Sequence, residues 1–369
     1  LKYHNIKFVS KKTIIKKIKN IFNVKGDLSN SKTIVNPITI TKLFGLNFDF
    51  ISQDKILLET NNNFSFNIDA KRRVKDLNYK SNLIFDKILI NNKYQDLIFL
   101  NDGKIETEYS NKNLDIKIDS KYTFINEEYN NQDDEKYIKI NIKKNNKDNL
   151  RVESLLKNKK TKINSKELSK YFQIDKKILK DQTIIFGSDS KINFNIDKNK
   201  KLKNLKIKSN VNFESLKIDY ISTKLKKRFP NYKNQIFLNG EYLEFEYKDS
   251  KTQIKAKGQY SFNDKFDDYE INVINENDKY DFVSSIDLNN NPIIIKEIDF
   301  SKNKDSSSMI KLQGNYIKNR DIKIVSATYS EDKNKIIISN LKLSKNYQIK
   351  DMDKLELNYL NKNKNLNYI

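Results

Sequence analysis

Cysteine is absent from this chain of 369 residues, tryptophan is absent too, and there is one histidine. The lack of Cys excludes disulfides, thiolate metal sites and cysteine nucleophiles. We interpret His4, near the start of the sequence, as a surface residue, which removes Ser-His-Asp triads and His-based metal sites from consideration. We therefore expect neither thiol nor imidazole chemistry from this protein.

Glycine and proline are scarce as well, with seven Gly and three Pro. No Gly-rich loop is present that could cradle a phosphate group. No apolar run approaches the roughly 20 residues that a membrane-spanning helix needs, and no secretory signal is visible. We predict a non-enzyme with no catalytic residue, no metal and no cofactor.

One carboxylate pattern could still carry chemistry, because Glu106 and Glu108 recur as Glu244 and Glu246. Two carboxylates can divide acid and base work, as they do in glycosidases. Here apolar residues occupy the alternate positions. We therefore predict that the glutamates lie on the wet side of a strand, beside lysines, as a solvated ladder.

The formal net charge of +23 points at first to a nucleic-acid partner. The excess is nearly all Lys, since Arg occurs only at positions 72, 73, 151, 228 and 320. Most lysines alternate with apolar residues, and no basic stripe stands out. We interpret them as a solvated face that also guards against association of sheets, with attraction to anionic lipid headgroups as an alternative. We predict no nucleic-acid partner.

The sequence repeats itself, and residues 64–90 recur as residues 192–218 with about eleven of twenty-seven positions identical. Residues 100–126 recur as 238–264 after an insertion in the second copy. A fainter third copy begins near Lys304. Such repetition indicates an architecture built from stacked units.

Within each copy, apolar residues fall on alternate positions, which is typical of a strand with one dry and one wet face. The phase slips by one residue after Phe85, and again after Phe213. A slip of this kind indicates either a β-bulge or the end of one strand and the start of the next. We count roughly fifteen strand segments, with no strand–helix alternation.

Two short helices interrupt this pattern. The first covers residues 165–172, where Asn164 and Glu167 have capping-box spacing. The second covers residues 221–229, where Ile221, Leu225 and Phe229 share a face before Pro230. It lies in the insertion of the second copy, and we interpret it as a lid or edge cover, with a plain surface connection as the alternative.

These observations predict an all-β fold with one or two short helices, arranged as an elongated, mainly antiparallel, repeating β-groove. The predicted domains are an incomplete N-terminal β segment (1–63), repeat unit 1 (64–180), repeat unit 2 (181–300) and the truncated start of a further unit (301–369). The chain begins at Leu1 and stops inside a strand-like segment, so we expect it to be a piece of a longer protein.

The dry face carries large side chains and must be covered by protein or by something that is not protein. Strands of nine to twelve residues span about 30 to 40 Å, so a curved sheet could enclose an acyl chain. The candidates to line a lipid groove are Phe64, Phe66, Ile68, Phe85, Tyr109, Phe124, Phe194, Ile196, Leu205, Ile207, Val211, Phe213, Phe245, Tyr247, Ile254, Tyr260 and Phe262. For each of them a self-packed protein core is the alternative.

The tandem units have the form F-x-I-D, a Lys-rich turn, L-x-I-K-S-N-hydrophobic-x-F and a G-x-Y-x-F strand. This pattern resembles the AsmA-like proteins of Gram-negative envelopes, over residues 64–126 and 192–316. The resemblance implies a taco-shaped β-groove with an apolar lumen in the periplasm. It also implies an inner-membrane anchor on a segment absent from this chain, and passive movement of phospholipid acyl chains toward the outer membrane. The resemblance does not identify a partner among other envelope proteins.

Two other functions fit the same sequence. One is a structural or adhesive β-solenoid with a self-packed core. The other is a lipopolysaccharide-bridge protein, which has a similar open β-groove. A lipid conduit has a lumen that is free of protein side chains, whereas the β-solenoid fills it with its own core. The identity of co-purified lipid distinguishes a lipopolysaccharide-bridge protein from a phospholipid conduit.

Overall fold

The computed structural model describes residues 2–3, 6–37, 51, 55–91, 96–110, 112–125, 136–144, 149–172, 178–179, 181–263, 265–303, 305–361 and 365–368. The fold is all-β, with 74% of the chain in strands and 5% in helices, and 20 of its strands belong to a large antiparallel sheet that is not closed on itself. This confirms the predicted fold class. By contacts the chain divides into two compact units: unit 1 is Leu1–Lys159 with Asp189–Lys206, and unit 2 is Lys160–Ser188 with Ile207–Ile369. The division into repeat units stays a prediction.

The described residues hold 24 strands. In chain order they are β1 (Lys2–Tyr3), β2 (Ile6–Lys7), β3 (Thr13–Ile18), β4 (Ile21–Val35), β5 (Ile56–Ile68), β6 (Val74–Asn91), β7 (Asp96–Ser110), β8 (Asn113–Phe124), β9 (Tyr137–Lys144), β10 (Leu150–Asn164), β11 (Thr183–Ile196), β12 (Leu202–Asp219), β13 (Gln235–Lys248), β14 (Lys251–Ser261), β15 (Asp267–Glu276), β16 (Lys279–Asp287), β17 (Ile293–Ile295), β18 (Phe300–Lys302), β19 (Ser308–Ile317), β20 (Ile322–Glu331), β21 (Asn334–Leu343), β22 (Ile349–Asp351), β23 (Lys354–Leu360) and β24 (Leu366–Tyr368).

Two α-helices are described, α1 (Ser165–Phe172) and α2 (Thr223–Arg228), together with a 3-10 helix (Lys296–Ile298). The first matches the prediction, and the Asn164 side chain accepts a hydrogen bond from the backbone N–H of Lys166 at 2.8 Å. The second is shorter than predicted, because Ser222 is its N-cap and accepts from the N–H of Leu225. Ile221 therefore lies outside the helix and is 83% exposed.

Unit 1 is a meander in which β3 to β9 pair in sequence order, each antiparallel to the next. Strand β10 pairs in turn with β9. In unit 2, β13 to β16 continue this order, and β16 then pairs with β19. The skipped strands β17 and β18 form a separate hairpin. Strands β19 to β21 follow, and β21 pairs with both β22 and β23.

Asn, Asp and Ser residues occupy positive-φ positions of hairpin turns where Gly is common. Asn277 and Asp278, between β15 and β16, have φ of 52° and 62°. Asp249 and Ser250, between β13 and β14, have φ of 51° and 65°. Two successive residues at positive φ are typical of the type I′ turn, which suits the right-handed twist of paired strands. A chain with few glycines can thus still form a meander.

The aspartate of the repeated F-x-I-D motif builds the same turn in both copies. In the first, Asp69 Oδ1 accepts hydrogen bonds from the backbone N–H groups of Lys71 and Arg73 at 2.9 and 3.0 Å. In the second, Asp197 Oδ1 accepts from those of Asn199 and Lys201, both at 2.9 Å. The hydrogen bonds from Arg73, first from its backbone N–H and then from its guanidinium, hold the pKa of Asp69 well below its ordinary value.

β6 and β12 run through the phase slip without a break, and β6 keeps one register against β7 from Phe85 to Ile88. The bulge lies in the strand that follows. The register of β7 against β8 shifts between Asn101 and Lys104, and that of β13 against β14 shifts between Asn239 and Tyr242. These positions are equivalent in the two copies. The alternative, a strand end at the slip, is wrong.

Candidate functional site

Unit 2 presents one sheet face on which apolar residues from neighbouring strands align. The register joins Phe245 to Ile254, Ile254 to Val273, and Val273 to Phe282. We call these four residues the outer row. Two residues further along each strand lies the middle row, which consists of Leu243, Ala256, Ile271, Ser284, Leu312, Ala327, Ile338 and Leu355. The inner row follows, with Gly258, Tyr269, Ile286, Ile310, Tyr329, Ile336 and Leu357.

The inner row is covered by protein. The cover, which we call the lid, consists of α2 with Phe229 and Tyr232 after it, and of the β17–β18 hairpin with its 3-10 helix. The lid and the sheet share a core cluster of nine buried residues, which are Tyr232, Tyr260, Phe262, Leu288, Ile293, Phe300, Tyr329, Leu357 and Tyr359. This finding supports the interpretation of the insertion as a lid.

Aromatic contacts hold the lid against the sheet. The ring of Phe262 lies 5.1 Å from that of Phe229 and 5.2 Å from that of Tyr232. On the hairpin, the ring of Phe300 meets those of Tyr329 and Tyr359 edge to face at 5.5 and 5.6 Å. Such edge-to-face pairs add to the stabilisation that burial of apolar area provides.

An ion pair joins the two parts of the lid. The Arg228 guanidinium donates to both carboxylate oxygens of Glu297, and the bond from Nη2 to Oε1 measures 2.8 Å. The Arg228 partner lowers the pKa of Glu297 to about 2. Because both side chains are largely exposed, we assign the pair a positioning role more than a large share of stability.

A buried lysine anchors the loop that carries the hairpin. The Lys302 ammonium donates to the backbone carbonyls of Asn289, Asn291 and Asn303. Nearby, the buried Asp267 carboxylate accepts from the side chains of Asn290 and Asn291 and from the backbone N–H of Asn290. Burial lowers the pKa of Lys302 and raises that of Asp267.

The outer row lies outside the core cluster. Ile254 is 36% exposed, and Phe245, Val273 and Phe282 are half-buried. Tyr260, on the same face of the same strand, is 7% exposed. Large apolar side chains on this part of the sheet therefore stay accessible.

A cavity of about 320 Å³ lies at the edge of the lid. The lid contributes Arg228, Phe229, Ile293, Ile295 and Phe300 to its wall. The sheet contributes residues of the inner and middle rows together with Thr328, which are Ile310, Ala327, Thr328, Tyr329, Ile336 and Ile338. The cavity thus lies where the covered part of the face gives way to the uncovered part.

Unit 1 has its own apolar face. Phe64, Tyr79, Tyr109 and Leu114 follow one another across four strands in a single row, and all four are half-buried. The rings of Phe64 and Phe66 stack at 6.0 Å. This row has the character of the outer row of unit 2.

Phe85 is the exception among the candidates of the first copy. It is 2% exposed, in a small cluster with Ile56 and Ile88. Its ring lies over Gly103, where an added Cβ would come within 1.9 Å of the ring. Gly103 is therefore required because the aromatic ring fills the space of a side chain.

A polar belt crosses the apolar face of unit 1, and the sequence patterns did not reveal it. Asn62, which is 9% exposed, donates to the carbonyl of Leu28 and accepts from the hydroxyls of Tyr79 and Ser81 at 2.8 and 2.7 Å. Asn30 accepts a hydrogen bond from Thr60 beside it. The only signal in the sequence is the run of three asparagines at residues 61–63, which reads as a turn.

The seventeen predicted lining residues fall into three groups. Phe85, Tyr260 and Phe262 are buried under protein, and Ile254 is exposed. The half-buried remainder consists of Phe64, Phe66, Ile68, Tyr109, Phe124, Phe194, Ile196, Leu205, Ile207, Val211, Phe213, Phe245 and Tyr247. Tyr260 and Phe262 belong to the closed core cluster, so at these two positions the self-packed alternative describes the structure.

The lid hairpin was also missed from the sequence. Ile293, Ile294 and Ile295 form a continuous apolar run after Pro292, outside the alternating pattern. That run was the available signal. This run lies outside the repeated segments, so a comparison of the copies does not reveal it.

The paired glutamates lie beside lysines on the polar face, as expected. Glu108 pairs with Lys80 at 2.8 Å and Glu106 with Lys104 at 2.5 Å, and the four side chains are about half exposed. The hydrogen bond from Lys104 lowers the pKa of Glu106. Glu244 lies 3.6 Å from both Lys208 and Lys255.

In the described part of the chain, no helix combines the length and hydropathy needed to cross a bilayer, and no group of three or more His, Cys, Asp or Glu is placed to hold a metal ion. His4 lies outside the described residues. No protein-family model, curated protein or solved structure matches this chain.

Proposed function

We propose that this chain is a non-enzymatic lipid-conduit segment of the AsmA-like kind. Phospholipid acyl chains lie along the apolar sheet face while their headgroups stay in water. The proposed location is the periplasm, between the inner and outer membranes, with an inner-membrane anchor on another segment of the protein. The chain provides a surface for transfer and catalyses no reaction.

The observation that carries the proposal is the accessible outer row of unit 2. Antiparallel sheets of soluble proteins usually bury one face and expose a polar one. Here the polar face is already present, with Glu244, Glu246 and Lys255 on it, so the half-buried apolar rows form a second accessible face. Contiguous exposed apolar surface marks an interaction site, and an acyl chain is a ligand that needs no hydrogen bonds from it.

The self-packed scaffold is the second candidate, and the core cluster beneath the lid favours it. That cluster has the features of an ordinary protein core, with nine buried residues and close ring contacts. A scaffold protein would need the outer row to be covered in the same way. The lipopolysaccharide-bridge function differs from the conduit in the lipid that it binds.

A photo-crosslinker tests the proposal. We place a benzophenone amino acid at Phe245 or Phe213 on the apolar face, with Glu246 on the polar face as the matched control, and irradiate the protein in the presence of phospholipid. We expect labelled lipid from the first two positions and none from the third. Equal labelling at both faces, or none at any position, would contradict the conduit.

A further inference from the structure

We infer that the cavity at the edge of the lid is a closed end of the apolar face, which holds the tail of one acyl chain from a lipid with an anionic headgroup. This inference rests on the proposed function, because it names the place where a lipid that moves along the outer and middle rows stops, with its tail in the cavity and its headgroup at the cavity mouth.

The wall of the cavity suits an acyl tail. Of its eleven lining residues, only Arg228, Thr328 and Tyr329 have polar side-chain atoms. The Tyr329 hydroxyl is already engaged, since it donates to Glu331 at 2.7 Å. A peptide or a sugar would leave its polar groups unpaired against such a wall, whereas a hydrocarbon would not.

The size of the cavity suits a single tail. Ligand pockets run from about 300 to 1,000 Å³, and the 320 Å³ here is at the lower end of that range. A volume at this end of the range suits one acyl tail better than several.

The lid supplies the charge that a headgroup would meet. Helix α2 has the sequence TKLKKR, with four cations and no acid, and Arg228 lies in the cavity wall. Glu297 offsets the charge of Arg228, while Lys226 and Lys227 stand next to it in the last turn. A phosphate or carboxylate headgroup is complementary to this end of the lid.

Two residues of the cavity wall belong to the middle row, and this places the cavity beside the proposed path of the lipid. Ala327 and Ile338 belong to the middle row, which also contains Ala256 on β14. An acyl chain lying beside this row therefore meets the cavity without crossing the lid. Ala327 lines the cavity and Ala256 does not, although both are half-buried alanines on the same face.

This pair of alanines gives a matched test with the full chain. Parinaric acid, whose fluorophore is part of its own acyl chain, serves as the probe, and lysophosphatidylglycerol and lysophosphatidylcholine, each with one acyl chain, serve as competitors. We expect Ala327→Phe to lose ~tenfold or more in probe affinity, on the scale at which apolar pockets discriminate chains by size. We expect Ala256→Phe to stay within about twofold of the parent. At low salt the anionic competitor should displace the probe at ~threefold or more lower concentration than the zwitterionic one.

A second variant covers the case in which Ala327→Phe does not fold. Ile338→Ala enlarges the cavity, and we expect it to shift the preferred competitor toward longer chains. Equal losses in Ala327→Phe and Ala256→Phe, or no change in chain-length preference with Ile338→Ala, would overturn the inference. If lipid still crosslinks at Phe245 in these cases, the conduit stands and the cavity is not its end. If crosslinking fails as well, the proposed function falls with it.

Discussion

Tyr260 and Ile254 lie on the same face of the same strand, yet one is 7% and the other 36% exposed. The sequence pattern treats them alike, since both are apolar residues at even spacing on β14. The lid makes the difference, because it packs on the inner row and leaves the outer row accessible. An alternating pattern thus identifies a dry face, but what covers that face is decided by a separate segment of the chain.

The largest expected effect comes from replacing one phenylalanine beneath the lid and comparing it with one in the outer row. Phe262→Ala should destabilise the protein by ~3–5 kcal/mol, because it opens a cavity in the closed cluster beneath the lid. Phe245→Ala, in the outer row, should cost clearly less, because its side chain is already part exposed. Urea denaturation of both variants measures the difference. Equal losses would show that the outer row is as well covered as the core.

A second comparison concerns equivalent positions of the two copies, Gly103 and Glu241. In the first copy the ring of Phe85 fills the space over Gly103. In the second copy the Glu241 carboxylate fills the space over Gly258 on the neighbouring strand. A Cβ added to Gly258 would come within 2.5 Å of its Oε1. The same bulge is therefore packed in two different ways.

Substitution of Gly103 tests the first of these arrangements. Gly103→Ala should cost ~1–3 kcal/mol, because the new Cβ would overlap the Phe85 ring and the packed cluster must shift. The double variant with Phe85→Leu should recover part of that loss, as expected for residues in direct contact. Additive losses in the double-mutant cycle would contradict the close packing of ring against glycine.

Glu241 offers a test through pH. Burial is the largest cause that raises the pKa of Glu241 above its ordinary 4.5, and the hydrogen bond from Tyr269 opposes it. The folded state therefore favours the protonated carboxyl, and stability is lost as pH rises from 4.5 through the raised pKa. Compared with Glu241→Gln, the parent should gain stability as pH falls from 7 to 5. A constant difference between the two proteins across this range would be inconsistent with a buried carboxyl.

Asp69 should show the opposite sign and the smallest effect. Its pKa lies below the ordinary 3.8 because the backbone N–H and then the guanidinium of Arg73 donate to it. The stabilisation it provides is therefore present above pH 3.8 and disappears as pH falls below that value. Asp69→Asn should be less stable than the parent at pH 7 and approach it in acid.

Much of this fold follows from local sequence features. Alternation of apolar and polar residues predicts the strands, and the spacing of Asn164 and Glu167 predicts α1. The repeated phase slip indicates a bulge or a strand end, and the bulge lies in the strand that follows in both copies. The polar face could be predicted as well, since Glu106 and Glu108 alternate with apolar residues along the strand. These features depend on neighbours along the chain or across one hairpin.

The lid and the polar belt could not be predicted in the same way. Ile293 and Phe300 share a buried cluster with Tyr260 and Tyr329 only because the β17–β18 hairpin folds back over the sheet. Asn62 is buried because Leu28, Tyr79 and Ser81 satisfy its amide from two neighbouring strands. Composition assigns asparagine to a turn, and only the complete set of partners explains its place inside a sheet.

The most direct test of the conduit uses the absence of Trp from the chain. Phe245→Trp places the single tryptophan of the variant on the apolar face, and Tyr242→Trp places it on the polar face of the same strand. A phospholipid with brominated acyl chains is then added to each protein. If acyl chains lie along the apolar face, fluorescence of the first variant is quenched and that of the second is not. Equal quenching of both, or quenching of neither, would contradict the account.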